Sequence, residues 1–203
     1  MLFQGNVGFQ SVLDGSPNVF ARLSRAAAMI VDQCNGRYYE NASRGKIYSA
    51  CNQAAQAYTA LSTTFTGFGL NNPIGSNVQL ALMDVCVAIA TATGGAAGLS
   101  LAGNAAMQGV IPTTLTAETV ISTLLGSKAT GVGTVWNAAT LATAPTVVRV
   151  LPGGAVAGSS ITPPFIRDEL AGQIILLPGT FIGTNRVTAT SAITSMSWIE
   201  TAL

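Results

Sequence analysis

From about Gly45 onward, apolar runs are broken at short intervals by Gly67, Gly69, Asn71-Asn72-Pro73, Gly75, Gly94-Gly95, Gly98, Gly103, Gly109 and Pro112. Glycine, asparagine and proline each favour backbone conformations that a helix or strand interior rejects, so this punctuation sets turns. Between the turns there is room for short strands and little else. The predicted strands are Ile47–Ala50, Ala60–Phe68, Val78–Thr91, Ala96–Gly103, Thr134–Asn137, Thr146–Leu151, Gln173–Leu177, Thr180–Ile182, Arg186–Thr190 and Ala192–Ile199. Many short strands with regular turns point to an all-β fold, a β-sandwich or jelly roll, and away from alternating βαβ units. Ile174-Ile175-Leu176-Leu177 before Pro178-Gly179 reads as a strand buried on both faces. Ser195-Met196-Ser197-Trp198-Ile199-Glu200 alternates as a half-buried strand does. Ala117–Leu125 reads as one or two helical turns.

The first 46 residues differ in character. They hold eight of the seventeen charged residues: Asp14, Arg22, Arg25, Asp32, Arg37, Glu40, Arg44 and Lys46. We therefore expect an N-terminal arm or short helix with a first hairpin over residues 1–46, followed by a β-sandwich domain over 47–203. Asn18 to Asp32 suits a short helix capped by Asn18, with Phe20, Leu23, Ala27 and Ile30 near one face; an extended arm suits the same residues. Asn35-Gly36 is a strong turn signal, Tyr38-Tyr39 then starts a β-prone segment, and Ser43-Arg44-Gly45 ends it. In this quarter Arg22, Arg25, Arg37, Arg44 and Lys46 outnumber Asp14, Asp32 and Glu40. A solvated surface explains such charges, and so does docking to an acidic protein surface, where rim charges steer association. Phe3, Phe9 and Phe20 are the candidate anchors of that docking, or pack on their own core.

Charge is scarce overall: 8% of residues are charged, 49% are hydrophobic and the formal net charge is +1. An average domain is about one-quarter charged, so much of this surface is uncharged polar or apolar and suited to burial against partners. A net charge of +1 gives no field to attract phosphates, and nucleic acid is not expected as a partner. Disordered chains pair low hydrophobicity with high charge, the reverse of this composition. No charge occurs between Asp84 and Glu118, but Gly94-Gly95, Gly98 and Gly103 interrupt that stretch, which reads as strand, turn and strand, not a membrane-spanning helix. Met-Leu-Phe-Gln-Gly-Asn-Val lacks the basic and apolar regions of a secretory signal, so folding in a cytoplasm is expected. Cys34, Cys51 and Cys86 are odd in number with no CxxC spacing, and read as free thiols.

The chain has no histidine, which removes the usual general base and the commonest metal ligand. Neither Gly67-Phe-Gly69 nor Gly131-Val-Gly133 completes a dinucleotide-binding fingerprint, and both read as turns. No nucleophile elbow is present, and nothing approaches a calcium loop. Asp168-Glu169 is the only adjacent carboxylate pair and reads as a solvated turn beside Arg167. No catalytic residue, cofactor or metal ligand is assigned, and the protein is not expected to be an enzyme.

Three segments carry a resemblance: Gly36-Arg37-Tyr38-Tyr39-Glu40, Ser43-Arg44-Gly45-Lys46-Ile47-Tyr48 and Thr66-Gly67-Phe68-Gly69-Leu70-Asn71-Asn72-Pro73-Ile74-Gly75-Ser76. With Leu177-Pro178-Gly179-Thr180 and Met196-Ser197-Trp198-Ile199-Glu200, they resemble structural proteins of tailed bacteriophages. The resemblance implies a virion component, a jelly-roll-like capsid decoration (cement) protein that assembles as a homotrimer on the major capsid protein shell. Phe3, Phe9, Phe20, Arg22, Arg25, Arg37 and Arg44 are then the candidate capsid contacts. The alternatives are a tail, fibre or head–tail component, and a glycan-binding sandwich using Trp136, Trp198 or Tyr38-Tyr39 as stacking platforms.

Overall fold

A computed structural model gives the fold. It describes residues 36–58, 67–89, 117–137, 144–151, 166–185 and 191–203, and the backbone alone at 5–6, 21–22, 64–65, 90–91, 99–104, 139–140, 165, 186 and 190. The chain divides into two compact units, Met1–Glu40 and Asn41–Leu203. In the first, β1 (Gly5–Asn6) pairs in parallel with β2 (Ala21–Arg22). Sequence reasoning leaves helix and arm both open from Asn18 to Asp32; at Ala21–Arg22 the backbone is extended, and the remainder lies outside the described residues.

Tyr38-Tyr39 does not begin a strand. Tyr39–Ser43 is instead a single helical turn, α1, entered through a 3.0 Å bond from the Tyr39 N–H to the Gly36 carbonyl. Glu40 sits in its first turn, where the helix dipole favours an anion. The expected turn at Arg44-Gly45 follows, with Gly45 at a φ of 65°, a region that glycine enters without steric cost.

The second unit is an all-β sandwich. Its strands are β3 (Ile47–Cys51), β4 (Gln56–Tyr58), β5 (Thr64–Phe65), β6 (Gly69–Asn71), β7 (Val78–Thr91), β8 (Leu99–Asn104), β9 (Ala117–Glu118), β10 (Val120–Ser122), β11 (Thr134–Trp136), β12 (Ala139–Thr140), β13 (Thr146–Val150), β14 (Phe165–Leu176), β15 (Phe181–Arg186) and β16 (Thr190–Ala202). The first sheet runs β10-β3-β16-β7-β14, with β4 also on β16, and the second runs β13-β8-β15-β6-β11-β9. All pairings in both sheets are antiparallel, and β5 and β12 form a separate pair. The chain alternates between sheets: β6 lies in the second, β7 in the first, β8 in the second, β14 in the first, β15 in the second and β16 in the first. Such winding places strands distant in sequence side by side, as in jelly rolls.

One core lies between the sheets. Leu80, Leu82, Val85, Val87, Met196 and Trp198 of the first sheet meet Leu70, Val135 and Ile182 of the second. Along β16, Ala192, Thr194, Met196, Trp198 and Glu200 are buried while Ile193, Ser195, Ser197 and Ile199 are not. The expected alternation holds, except that its last step inverts, with Ile199 outward and Glu200 inward. Two buried asparagines fix the turns. Asn52 donates to the carbonyls of Ala54 and Ala192, and Asn72 donates to those of Val78 and Leu176 at 2.9 Å each. Buried amides of this kind replace the ladder bonds that a turn forfeits.

Two further expectations are corrected. Ala117–Leu125 is not helical: β9 and β10 cross from the second sheet to the first, and the turn after them closes at Gly126, whose φ is 86°. The β-branched Thr119, Val120, Ile121 and Thr123 favour that extended path. Ile174–Leu177 is not buried on both faces, since β14 is an edge strand and Ile175 and Leu177 remain 51% and 42% exposed. The turn expected from Gly94 to Gly98 lies outside the described residues. Among those described, no helix is long and apolar enough to cross a membrane.

Candidate functional site

Four of the described carboxylates, Asp84, Glu118, Asp168 and Glu200, are tied into the scaffold. Glu200, on the core side of β16, accepts bonds from the backbone N–H groups of Val132 and Gly133 at 2.9 Å and from the Trp198 indole at 3.0 Å. Gly131-Val-Gly133 is thus a loop whose amides hold a buried anion. Asp168 receives Arg149 Nε at 2.7 Å and Nη2 at 3.3 Å, and Arg149 Nη1 also reaches Gln173 Oε1 at 2.8 Å. Because β13 and β14 are edge strands of different sheets, this arginine clips the two sheets together along one flank. Glu118 accepts from Asn137 Nδ2. The Asp168-Glu169 pair is not a solvated turn. It lies within β14, with Asp168 buried toward the core and Glu169 exposed on the opposite side, so the two carboxylates do not face a common substrate. Among the described residues, no group of three His, Cys, Asp or Glu side chains is placed to hold a metal ion.

Apolar side chains are also exposed at the β13 and β10 margins of the sheets. Val147, Val148 and Val150 of β13 are 41%, 57% and 67% exposed. Ile121 of β10 and Leu124 and Leu125 of the following turn are also exposed. The β13 edge is blunted by a register shift between Val147 and Arg149, and its one cation is held by Asp168.

The outer face of the first sheet has a regular layout. Ala50, Met196, Val85 and Asp168 stand on one line across β3, β16, β7 and β14, all turned toward the core. One residue to one side, Cys51, Ser195, Cys86 and Arg167 face outward in a row; one residue to the other side, Ser49, Ser197, Asp84 and Glu169 do the same. Beyond these rows come Ile193 and Ala88 on one side, and Ile199, Ala81 and Ile175 on the other. Asp84 accepts a bond from the Ser197 hydroxyl and pairs with Arg167 Nη2 at 3.4 Å. Burial, with Asp84 adding to it, pushes the Cys86 thiol up, although Arg167 and Ser195 pull the other way. Burial and then Glu118 push the Cys51 thiol up as well. Both thiols are free and half-buried, and Cys34 lies outside the described residues.

The residues singled out in the N-terminal quarter are only partly placed. Phe3, Phe9, Phe20 and Arg25 lie outside the described residues, and Arg22 is described only as backbone paired with Asn6. Arg37 is exposed in the first unit, its guanidinium 5.1 Å from the centre of the Tyr38 ring, and Arg44 is exposed in the second unit. Trp136 and Trp198 are 1% and 0% exposed and serve the core, so neither is a stacking platform. Sequence reasoning did not find the flank of β13 or the ordered outer face, because both depend on which distant strands become neighbours. No family model matches the chain, and neither a curated protein nor a solved structure matches it.

Proposed function

We propose that this chain is a virion structural protein that decorates a capsid shell, binding the major capsid protein and stabilising the shell without catalysing a reaction. The observation that carries the reading is a pair of exposed apolar margins, Val147, Val148 and Val150 on one flank of the sandwich and Ile121, Leu124 and Leu125 on the other, in a chain with only 8% charged residues. A surface so poor in charge gains by being covered in a closed symmetric assembly, where neighbours remove apolar area from water. The phage-like segments support the same reading, and a trimer is the stoichiometry they imply. Exposed cations such as Arg37 and Arg44 then orient docking and contribute little affinity of their own. Capsids assembled without the protein provide the test. The purified chain is expected to cosediment with them and to raise their disruption temperature, and failure to cosediment over a range of salt concentrations would sink the proposal.

A further inference from the structure

We propose that the outer face of the first sheet is a self-association surface on which a second copy of the chain stacks about a two-fold axis. The inference does not rest on the virion reading. A two-fold contact brings the same patch together from both partners, so every residue must suit the one that the axis places opposite it. Let the axis run across the strands along the line Ala50–Met196–Val85–Asp168. Arg167 then faces the second copy's Glu169, and Glu169 faces its Arg167. Ser195 faces Ser197, Cys51 faces Ser49, and Cys86 faces Asp84, which the thiol can reach as a weak donor. In the outer rows, Ile193 faces Ile199 and Ala88 faces Ala81. Opposite charges meet, hydroxyls meet and apolar side chains meet. Moving the axis one residue either way sets Arg167 on Arg167 or Glu169 on Glu169, which repel, so charge fixes the register.

Access and area fit as well. Ile175 and Ile193 are 51% and 39% exposed, and Arg167 and Glu169 are exposed. Ile193 to Ile199 spans about 20 Å and the four strands about 15 Å between the outermost axes, so with side-chain margins two copies bury on the order of 1,000 Å², enough for a specific interface.

Sedimentation velocity on the full chain over a concentration series tests this. The expected mass is an even multiple of one chain, a dimer or paired trimers. Arg167→Glu is expected to weaken the two-fold contact about tenfold or more, and Arg167→Glu with Glu169→Arg to restore it within about threefold, with circular dichroism checking the fold. Should Arg167→Glu not fold, Ser195→Arg serves instead and is expected to halve the mass. A monomer or odd-numbered wild-type oligomer, a double variant no better than the single one, or a folded Ser195→Arg of unchanged mass would overturn the inference. Capsid binding is read separately by cosedimentation, so the two proposals fail independently.

Discussion

Gly69 has no room for a methyl group. A Cβ there would stand 2.7 Å from the ring carbons of Trp136, and that indole is itself held against Phe181 at 5.8 Å between ring centres. Overpacking of this kind costs about 1–3 kcal/mol, so Gly69→Ala is expected to lower the denaturant midpoint by that amount. Gly36→Ala, which meets nothing within 4 Å, is the control and is expected to leave the midpoint nearly unchanged. The sequence shows Gly67-Phe-Gly69 only as a short glycine pair read as a turn. That Gly69 lies beneath an indole 67 positions away is a tertiary fact no local spacing carries. The thiols give a second test at this scale. Because burial raises both above the ordinary cysteine value, Cys51 and Cys86 hold less thiolate at any pH near neutrality than a free cysteine. Alkylation mapped site by site against pH is expected to turn upward later than for a free cysteine, and an earlier rise at either site would contradict the environment described.

Among the elements, β7 is legible end to end, since Val78–Thr91 is both the expected and the observed strand. The first half of β14 is not. Its core-side positions are Ile166, Asp168 and Leu170, and an acid at the centre breaks the alternation that sequence reasoning relies on. Asp168 is tolerated there because Arg149 reaches it from the other sheet, a partner that only the folded topology supplies. The same physics hides Glu200, whose donors are two backbone amides and an indole. Past Leu170 the strand turns out through Ala171 and Gly172 at φ of 49° and 83° before pairing resumes at Ile174, leaving Gln173 beside Arg149. A double-mutant cycle on Arg149→Ala and Asp168→Ala measures the clip. A coupling of about 1–2 kcal/mol is expected, below the value for a fully buried pair because Arg149 is half-exposed. Additive losses would show that the two sheet edges are not joined through this contact.

For the molecule as a whole, composition foretold a surface short of charge and punctuation foretold a sandwich. Which strands lie at the edges was not readable, because strand order is set by the alternating winding between sheets and not by any one strand's residues. The candidate site was legible only as a class of surface for the same reason: whether Val148 on β13 of the second sheet or Ile193 on β16 of the first stays exposed depends on which strands lie beside and over it once the sheets close. β16 is the hub of that order, pairing with β3, β4 and β7. Deleting residues 190–203 is expected to abolish cooperative unfolding and the near-ultraviolet signal of Trp136, and a truncated chain that melts cooperatively would refute the hub role. There is a consequence in time as well. A ribosome makes about 5–20 residues per second, so the interval between finishing β3 and finishing β16 is on the order of ten seconds. Throughout it the apolar faces of β3, β6 and β7 await the strand that seals them, and a nascent chain in that condition is a client for the chaperones at the tunnel exit until its last strand emerges.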